Sequence, residues 1–479
     1  MKKMVLFLFM LALVLSGASQ TRKTFSFQNG KFKVVQFTDL HWTPQSIGCD
    51  DTEATIRTVL EAEKPSLAVL SGDVVTDEPA RKGWEAVVAI FDDLKMPFIV
   101  TMGNHDAEYM TKSDIYDLLL QSPYYVGEKG PKDIKGCGNC VLPVFGTDDK
   151  AAALLYFLDS NDYQPEKLYG AYDWIHFDQI VWYRNQSTRF TQANGGRPLP
   201  ALAFFHIPLQ EYAEIVVDGK TYGNRHEGVA GARLNSGMFT SFIEMQDVMG
   251  VFVGHDHNND YLGINKNVLL AFGRVTGKDA YGNLKRGARV IELYEGQRKF
   301  NTWITTPDGC DPTYYYPSGL NSEEETCMTY FPAYDVRPVR QGVAYAYYEG
   351  NCEKTADIAA CRKVKEGTKK NFSIIESPLE DHFAYEFRTL MRIPQKGVYR
   401  FYTYSDDGSV LYIDGHKVVD NDGGHSVGRA EGKIALDAGF HEVRVLYFED
   451  YMGQALEVGF CSKDIYETAL PDEMLYLPE

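Results

Sequence analysis

Apolar runs alternate with amphipathic stretches up to about residue 300. The runs are rich in Val, Ile, Leu and Phe and lie at residues 33–37, 67–70, 98–102, 154–158, 202–205 and 251–253. The stretches between them have apolar side chains at helical spacing, as at residues 52–63, 84–94 and 113–120. Continuously apolar strands separated by helices are typical of sheets that are covered on both faces. This part of the chain is therefore predicted to have a layered α/β architecture.

The pattern changes after about residue 338, where strands with alternating polarity and many aromatic residues begin. Residues 399–404, 410–413 and 442–447 are of this kind, and Asp-Gly turns punctuate them. Short strands with Asp-Gly turns predict an antiparallel β-sandwich. The segment before it is poor in periodicity and carries the acidic run 323–325. We expect a first domain at 28–300, a linker at 301–337 that Cys310 and Cys327 could clip, and an all-β domain at 338–465.

The first 18 residues differ from the rest of the chain. Lys2 and Lys3 precede an unbroken apolar run at residues 5–15, and Ser16-Gly17-Ala18 offers the small residues that a signal peptidase needs. This arrangement is typical of a cleaved signal peptide, and the alternative is an anchor that stays uncleaved. No later stretch is apolar enough to predict a transmembrane segment. We therefore expect a periplasmic or secreted protein.

The net charge disfavours one class of function, and the cysteines indicate how the chain could be cross-linked. A formal charge of −18 disfavours a protein that coats nucleic acid, because such a surface repels phosphate backbones. A phosphate substrate would need local positive charge, which bound metal ions supply. Disulfides are the default expectation for an even set of cysteines in an exported chain. Cys137 and Cys140 could instead form a redox or zinc pair. The eight cysteines are Cys49, Cys137, Cys140, Cys310, Cys327, Cys352, Cys361 and Cys461.

Five of the apolar strands run directly into residues that can bind metals. In chain order these residues are Asp39 and His41, then Asp73, then Asn104 with His105 and Asp106, then His206, and finally His255 and His257. The carboxyl ends of strands in layered α/β proteins form the ligand crevice, so these groups should converge. Carboxylate, imidazole and amide groups suit Mn, Fe and Zn. Each motif alone is weak, but the whole series predicts a metal centre.

The series Asp-x-His, Gly-Asp, Gly-Asn-His-Asp, His and Gly-His-x-His resembles the calcineurin-like metallophosphoesterases over about residues 30–295. The resemblance implies an α/β/β/α sandwich with two metal ions. Asp39, His41 and His257 would hold one ion, Asn104, His206 and His255 the other, and Asp73 would bridge them. His105 would donate a proton or hydrogen bond toward the phosphate, and Asp106 would orient its imidazole.

Further segments resemble a branch of this family that is related to purple acid phosphatases. They are Leu158-Asp159-Ser160, Tyr172-Asp173-Trp174-Ile175, Asn235-Ser236-Gly237 and Gly273-Arg274-Val275-Thr276-Gly277. True purple acid phosphatases have glycine where His41 stands and a tyrosine iron ligand where Thr76 stands. The tyrosine ligand that accompanies an obligatory ferric ion is therefore missing, and the identity of the metals stays open. Arg274 could bind a phosphate oxygen or pair with a carboxylate, and His226-Glu227 could touch substrate or lie in a solvated loop.

The second domain resembles the protective-antigen-type β-sandwich over about residues 338–465, on the segments Ser405-Asp406-Asp407-Gly408-Ser409 and Leu411-Tyr412-Ile413-Asp414-Gly415. Adjacent aspartates bind calcium in the sugar-binding members, and Asp406 and Asp407 occupy the matching positions. The alternative is that this Asp-Asp-Gly segment only forms a turn.

The function expected from these resemblances is an exported hydrolase of phosphoric esters, either a phosphatase or a phosphodiesterase. Two divalent or trivalent ions (Mn, Fe or Zn) would share a bridging hydroxide that attacks phosphorus. The all-β domain could bind a glycan or target the enzyme to a surface, and calcium is its candidate cofactor. The alternative is a cell-surface carbohydrate-binding protein whose metal site is structural and not catalytic.

Overall fold

The computed structural model describes residues 24–217, 219, 221–336 and 338–478, so the predicted signal peptide lies outside the described residues. The strands of the first part, in chain order, are β1 (Phe25–Ser26), β2 (Lys31–Phe37), β3 (Leu67–Ser71), β4 (Phe98–Thr101), β5 (Cys140–Phe145), β6 (Ala151–Phe157), β7 (Ala201–Phe204), β8 (Val248–Val253), β9 (Leu262–Asn265), β10 (Val268–Phe272), β11 (Ala288–Tyr294), β12 (Phe300–Thr306), β13 (Gly309–Cys310), β14 (Tyr314–Tyr316) and β15 (Leu320–Asn321). The helices are α1 (Gly48–Glu63), α2 (Ala80–Asp93), α3 (Lys112–Leu119), α4 (Phe177–Ala193), α5 (Glu211–Val217), α6 (Met238–Met245) and α7 (Ser322–Cys327).

These strands form two sheets that pack face to face. The first sheet has the order β1-β5-β6-β7-β8-β10-β9, and the second has the order β15-β14-β12-β11-β2-β3-β4, with β13 paired to β12. The central strands β6, β7, β8 and β10 are parallel neighbours, as are β2, β3 and β4. Parallel strands bring the residues that follow them to one edge of each sheet.

Apolar side chains explain the layering. The inner faces of both sheets share one core with helices α1 to α3, around residues such as Phe37, Trp84 and Phe252. The outer face of the first sheet buries a second core under helices α4 to α6, around Tyr156, Tyr183 and Phe242. Strands with both faces covered are apolar throughout, which is why their runs were continuous in the sequence. The expected α/β/β/α sandwich is confirmed.

The C-terminal part is a β-sandwich, as expected. Its strands are β16 (Tyr330–Phe331), β17 (Pro338–Gln341), β18 (Val343–Glu349), β19 (Arg362–Lys369), β20 (Phe383–Ile393), β21 (Gly397–Asp406), β22 (Ser409–Ile413), β23 (His416–Asn421), β24 (Gly428–Leu436), β25 (Gly439–Glu449), β26 (Ala455–Ser462), β27 (Thr468–Ala469) and β28 (Leu475–Pro478). They form the sheets β16-β24-β21-β26-β27 and β17-β28-β20-β25-β22-β23, with β18 and β19 added through β20. The alternating strands bury Phe387, Phe401 and Tyr447 between the sheets.

The segment that we expected to be a linker is largely structured. Residues 300–321 carry strands β12 to β15, which extend the second sheet of the first part. This segment lacks apolar periodicity, and its tyrosines pack on the sheet through their rings. The ring of Tyr316 stacks on that of Phe300, with 4.6 Å between the centroids. Leu320 is buried against Val398 and Ala435 of the sandwich, so this segment also joins the two parts.

Across the described residues no two cysteines form a disulfide, and the clip between Cys310 and Cys327 is not formed. The sulfur atoms of Cys352 and Cys361 lie 3.4 Å apart. Among the residues that the structure describes, no helix has the length and apolar character needed to cross a bilayer.

Candidate metal centre

The loops that carry the predicted ligands turn sharply where each strand ends. Asp39, His41, Asp73 and His255 all have positive φ angles, between 41° and 79°. Residues other than glycine seldom adopt positive φ angles, and such backbone strain is commonly found at functional sites. Gly72 is needed between β3 and Asp73, because its φ is +94° and a Cβ there would overlap the ring of His206. The backbone is thus bent to aim these side chains at one place.

The structure brings six of the seven predicted ligands into two adjoining clusters. Asp39, His41 and His257 form one cluster, and Asp73, His206 and His255 form the other, with ligand atoms within 4.8 Å of one another in each. The Nε2 atom of His206 lies 3.1 Å from Oδ2 of Asp73 and 3.9 Å from Oδ1 of Asp39. The two clusters therefore share one cage.

Asp73 lies between the two clusters. Its Oδ2 atom is 3.1 Å from His206 Nε2 and 3.7 Å from His41 Nε2, so it faces a histidine of each cluster. Its Oδ1 atom accepts a hydrogen bond from the backbone N–H of His105 at 2.9 Å. This carboxylate is in the position that a bridging ligand needs.

The donor atoms in the cage suit a pair of cations. Oδ1 of Asn104, Nε2 of His41 and Nε2 of His255 are buried and have no hydrogen-bond partner among the described residues. Buried polar atoms without partners are costly, and two cations bound here would satisfy them. Oxygen and nitrogen donors without thiolates suit Mn, Fe or Zn. The seven side chains therefore fit a dinuclear centre.

The electrostatics of the cage favour the protonation states that metal binding requires. Burial raises the pKa of Asp39, but the imidazoles of His257 and His206 outweigh it and lower the pKa to about 2. Burial lowers the pKa of His41 to about 4. For His255, burial and the neighbouring His206 lower the pKa to about 3. Ionised carboxylates and neutral imidazoles are the forms that bind metals.

His206 differs from the other histidines of the cage. Burial lowers its pKa, but the carboxylate of Asp73 outweighs this effect and raises the pKa to about 10. Its Nδ1 atom lies 2.8 Å from the carbonyl oxygen of Ser71, to which it donates. The Nε2 atom consequently faces the carboxylates, and it would release its proton when a cation takes that position.

Asp106 has a different role from the one expected for it. Its carboxylate accepts four backbone hydrogen bonds, from Asp73, Val74, Val75 and Gly103, at 2.7 to 3.2 Å. The tight turn after β4 directs this side chain inward, where it joins the loop of Asp73 to the loop of Asn104. Asp106 therefore supports the two ligand loops and does not orient the imidazole of His105.

Glu108 contacts His105 in its place. The Oε1 atom of Glu108 lies 2.8 Å from Nδ1 of His105, and about a third of each side chain is exposed. The ring of His105 lies 5.5 Å from that of His41, between centroids. His105 is therefore at the open side of the cage with its Nδ1 held by a carboxylate. Sequence reasoning missed Glu108, although its i+3 spacing from His105 was a usable signal.

Three tyrosines surround the cage, and the sequence indicates only Tyr172, as part of a family segment and without a role at the site. Tyr172 meets the ring of His255 edge-on at 4.6 Å, and Tyr163 stacks on Tyr172 at 5.8 Å. On the other side, Tyr281 stacks on His257 at 3.9 Å. These rings hold the imidazoles in place and line the opening of the site.

The two undecided candidates are now placed. Arg274 pairs with the buried carboxylate of Asp260 and reaches Asp311 at 3.3 Å, so it has a structural role. Glu227 accepts a hydrogen bond from the hydroxyl of Tyr281 at 3.0 Å, while His226 is exposed. Glu227 therefore supports the ring that lies over His257.

A third cluster lies in the C-terminal sandwich. Asp406, Asp407 and Glu449 have carboxylate oxygens within 4.8 Å of one another. Asp407 also accepts backbone N–H groups of Asp450 and His425, at 2.9 and 2.8 Å, as a turn residue would. Glu449 is fully buried, and burial together with the two aspartates raises its pKa to about 8. Its Oε1 has no hydrogen-bond partner among the described residues, so the cluster can also hold a cation.

Comparison with known proteins supports both halves of the fold. The calcineurin-like phosphoesterase family matches residues 32–259, and the PA14 domain matches residues 339–472. "Probable inactive purple acid phosphatase 29" of Arabidopsis thaliana is 33% identical over 322 residues, which cover 60% of this chain and 83% of that protein. "Phosphatase DCR2" of Saccharomyces cerevisiae is 30% identical, over 60% of this chain and 55% of that protein. The chain thus spans about half of the yeast protein's length.

Among solved structures, a dimetal phosphatase from Danio rerio is similar, with 13% identity and a TM-score of 0.43 over 59% of this chain and 98% of that one.

Proposed function

The chain belongs to the calcineurin-like phosphoesterase family, with a PA14 domain at its C-terminal end, and we therefore propose that it hydrolyses phosphoric esters with a pair of bound metal ions. One observation carries the proposal: the described residues converge on a single buried cage of two carboxylates and four imidazoles, and Asn104 precedes His105, whose backbone N–H donates to Asp73 of that cage. Its unpartnered Oδ1 of Asn104 and Nε2 of His41 and His255 are where cations would bind.

The proposed ligands form two sets of three side chains around a shared aspartate. Asp39, His41 and His257 would hold one ion, Asn104, His206 and His255 the other, and Asp73 would touch both. Bound here, the ions supply Lewis acidity and an activated water at neutral pH. The buried side chains of the cage would fix the geometry of the pair.

His105 is the proposed proton donor to the leaving oxygen. It stands at the exposed side of the cage, and Glu108 holds its Nδ1 at 2.8 Å. An imidazole held in this way presents Nε2 to the opening, and a doubly protonated ring donates from that atom. Removal of this donor slows bond cleavage without removing a metal ligand.

Hydrolysis of para-nitrophenyl phosphate and bis-para-nitrophenyl phosphate tests this proposal. The purified full chain is stripped of metals and supplied in turn with Mn, Zn or Fe, and Asp73→Asn serves as the matched control. If the wild type hydrolyses an ester and Asp73→Asn does not, the result supports the enzyme hypothesis. The preferred substrate then distinguishes a phosphatase from a phosphodiesterase. A folded, metal-loaded wild type that cleaves neither ester favours the alternative, a binding protein with a structural metal site. The name of the Arabidopsis relative calls that protein inactive, which makes this control essential.

For the PA14 domain we propose glycan binding with calcium at Asp406, Asp407 and Glu449. The third carboxylate supports this proposal, because calcium prefers several oxygen ligands and two aspartates alone are too few. A glycan array probed with the full chain, with calcium and with a chelator, tests it. Binding that is the same in both conditions would contradict the role of calcium.

We also propose that the chain is exported after cleavage at its N-terminal signal, and that Cys352 and Cys361 then form a disulfide. Their sulfur atoms lie 3.4 Å apart across one short loop. In this step each thiol gives up one hydrogen, and a disulfide-bearing oxidant accepts the two electrons. N-terminal sequencing of the mature protein and peptide mapping without reductant test the two parts separately.

A further inference from the structure

Two half-exposed tyrosine rings lie at the opening of the cage, one beside each cluster of ligands. Tyr281 is 54% exposed and stacks on His257 of the first cluster, with 3.9 Å between the centroids. Tyr163 is 45% exposed and stacks on Tyr172, whose ring meets His255 of the second cluster edge-on. For a ring that packs on a neighbour with one face, an exposed fraction near one half corresponds largely to the other face. The opening therefore has a flat aromatic surface on both sides.

Contacts of its side chain and of its backbone hold Tyr281 in this position. The hydroxyl donates to the carboxylate of Glu227 at 3.0 Å. The guanidinium of Arg286 donates to the carbonyl oxygen of Ala280 and, at 3.4 Å, to that of Tyr281 itself. A side chain that rotates freely loses entropy when a ligand orders it. Because these contacts already order Tyr281, a ligand can stack on its ring at little further entropic cost.

Tyr163 is held in a similar way. It forms an antiparallel bridge with Tyr172, and the backbone N–H of Gln164 donates to the carbonyl oxygen of Ala171 at 2.8 Å. The rings of Tyr163 and Tyr172 are inclined by only 26° to each other. The hydroxyl of Tyr163 accepts a hydrogen bond from Nδ2 of Asn104 at 2.9 Å. This second ring is therefore also fixed before any ligand arrives.

The chemistry of these two rings favours an aromatic ligand. Both hydroxyls are engaged, one by Glu227 and the other by Asn104, so the rings offer their faces to a ligand. Aromatic faces attract other flat π systems by offset or edge-on contact, beyond the gain from buried area alone. Metal ions in the cage would clamp the phosphate oxygens, and the rest of the ester would then extend to the opening where the rings lie.

We propose that Tyr163 and Tyr281 form a stacking site at the opening of the cage, which selects phosphoric esters that carry a flat aromatic group. The inference rests on the proposed function, because the metal pair has to hold the phosphate. It extends that function by naming the class of substrate: aryl and heteroaryl esters are preferred over alkyl esters of the same size and charge.

Binding of two phosphonates to the metal-loaded full chain tests this without turnover. Phenylphosphonate and cyclohexylphosphonate carry the same anionic group on a six-membered carbon ring, and only the phenyl ring is flat and aromatic. Phenylphosphonate should bind about 3- to 10-fold more tightly in calorimetry, as expected for one aromatic contact. Hydrophobic burial alone would favour the cyclohexyl group, which has the larger apolar surface. Equal binding, or tighter binding of cyclohexylphosphonate, would therefore overturn the proposal.

Variants assign the preference to the two rings. Tyr163→Leu and Tyr281→Leu together should bring the two affinities within about twofold of each other, whereas Tyr163→Phe and Tyr281→Phe together should keep the preference, because both ring faces remain. Tyr404→Leu is the matched control and should behave as the wild type does, since Tyr404 is 42% exposed but lies on β21 of the sandwich. A preference that survives in the double leucine variant, with its metal content unchanged by elemental analysis, would contradict the role of the rings.

Failure of this inference can be told apart from failure of the proposed function. A wild type that hydrolyses the para-nitrophenyl esters but binds both phosphonates equally refutes the stacking site alone. A metal-loaded wild type that hydrolyses neither ester and binds neither phosphonate refutes both.

Discussion

The support that Asp106 gives to the ligand loops leads to a quantitative prediction. Oδ1 of Asp106 accepts from the backbone of Val74 and Val75, and Oδ2 accepts from Asp73 and Gly103. In Asp106→Asn one of the two acceptors becomes an NH₂ group. Whichever way the amide lies, two buried N–H groups then face a donor and lose their bond.

The expected loss of stability follows from this count. A buried group left without a partner costs about 1–3 kcal/mol, so two such groups should lower the free energy of unfolding by about 2–6 kcal/mol. That is a large share of the roughly 5–15 kcal/mol by which a protein is usually stable. Glu108→Gln is the matched control, because it is the same chemical change two residues away on a partly exposed side chain. It should change stability by less than about 0.5 kcal/mol and slow turnover by roughly tenfold through His105.

Tryptophan fluorescence during urea unfolding of the apo protein measures this effect in the correct part of the chain. All five tryptophans (Trp42, Trp84, Trp174, Trp182 and Trp303) precede the PA14 domain. Apo protein is used because bound metal would add its own stabilisation. The reasoning is refuted if Asp106→Asn unfolds within about 0.5 kcal/mol of the wild type, or if Glu108→Gln loses as much stability as Asp106→Asn does.

Three further predictions concern other parts of the molecule. Asp73→Asn should fail to retain a metal pair, whereas His105→Ala should keep both ions and turn over about 100-fold more slowly, as elemental analysis and kinetics would reveal; a full metal content in Asp73→Asn would count against bridging. Burial lowers the pKa of His441, but its hydrogen bonds to Asp414 and to the carbonyl of Asp437 outweigh this and raise the pKa above its ordinary 6.5. The protonated ring therefore stabilises the fold fully below about pH 6.5, and this contribution is lost as pH rises through the folded-state pKa. In circular dichroism melts, the difference in melting temperature between wild type and His441→Gln should decrease with rising pH. A difference that stays constant with pH would exclude this role of His441. Glu449→Gln should weaken calcium binding by about tenfold in calorimetry, since it removes a charged ligand, and an unchanged affinity would place the ion elsewhere.

The proposed metal ligands could be grouped from the sequence because they come within a few residues of the end of an apolar strand. Strand periodicity is local, and strand ends of a parallel sheet meet at one edge, so Asp39, Asp73, Asn104, His206 and His255 could be grouped without coordinates. The sandwich could likewise be predicted from its alternating strands and Asp-Gly turns. The extent of the second sheet could not be predicted, because residues 300–321 join it through aromatic stacking and not through a run of aliphatic residues.

Only the tertiary structure decided which side chain contacts which partner. Asp106 is adjacent to His105 in the chain, yet the turn directs it to four backbone N–H groups and leaves Glu108 to hold the imidazole. Tyr163 is 59 residues from Asn104, so no local pattern could connect them. The sequence determined the layers, the order of the proposed ligands and the identity of their donor atoms, since these depend on residue type and strand periodicity. The orienting contacts depend on how separate loops meet, and only the packing of the complete fold sets that geometry.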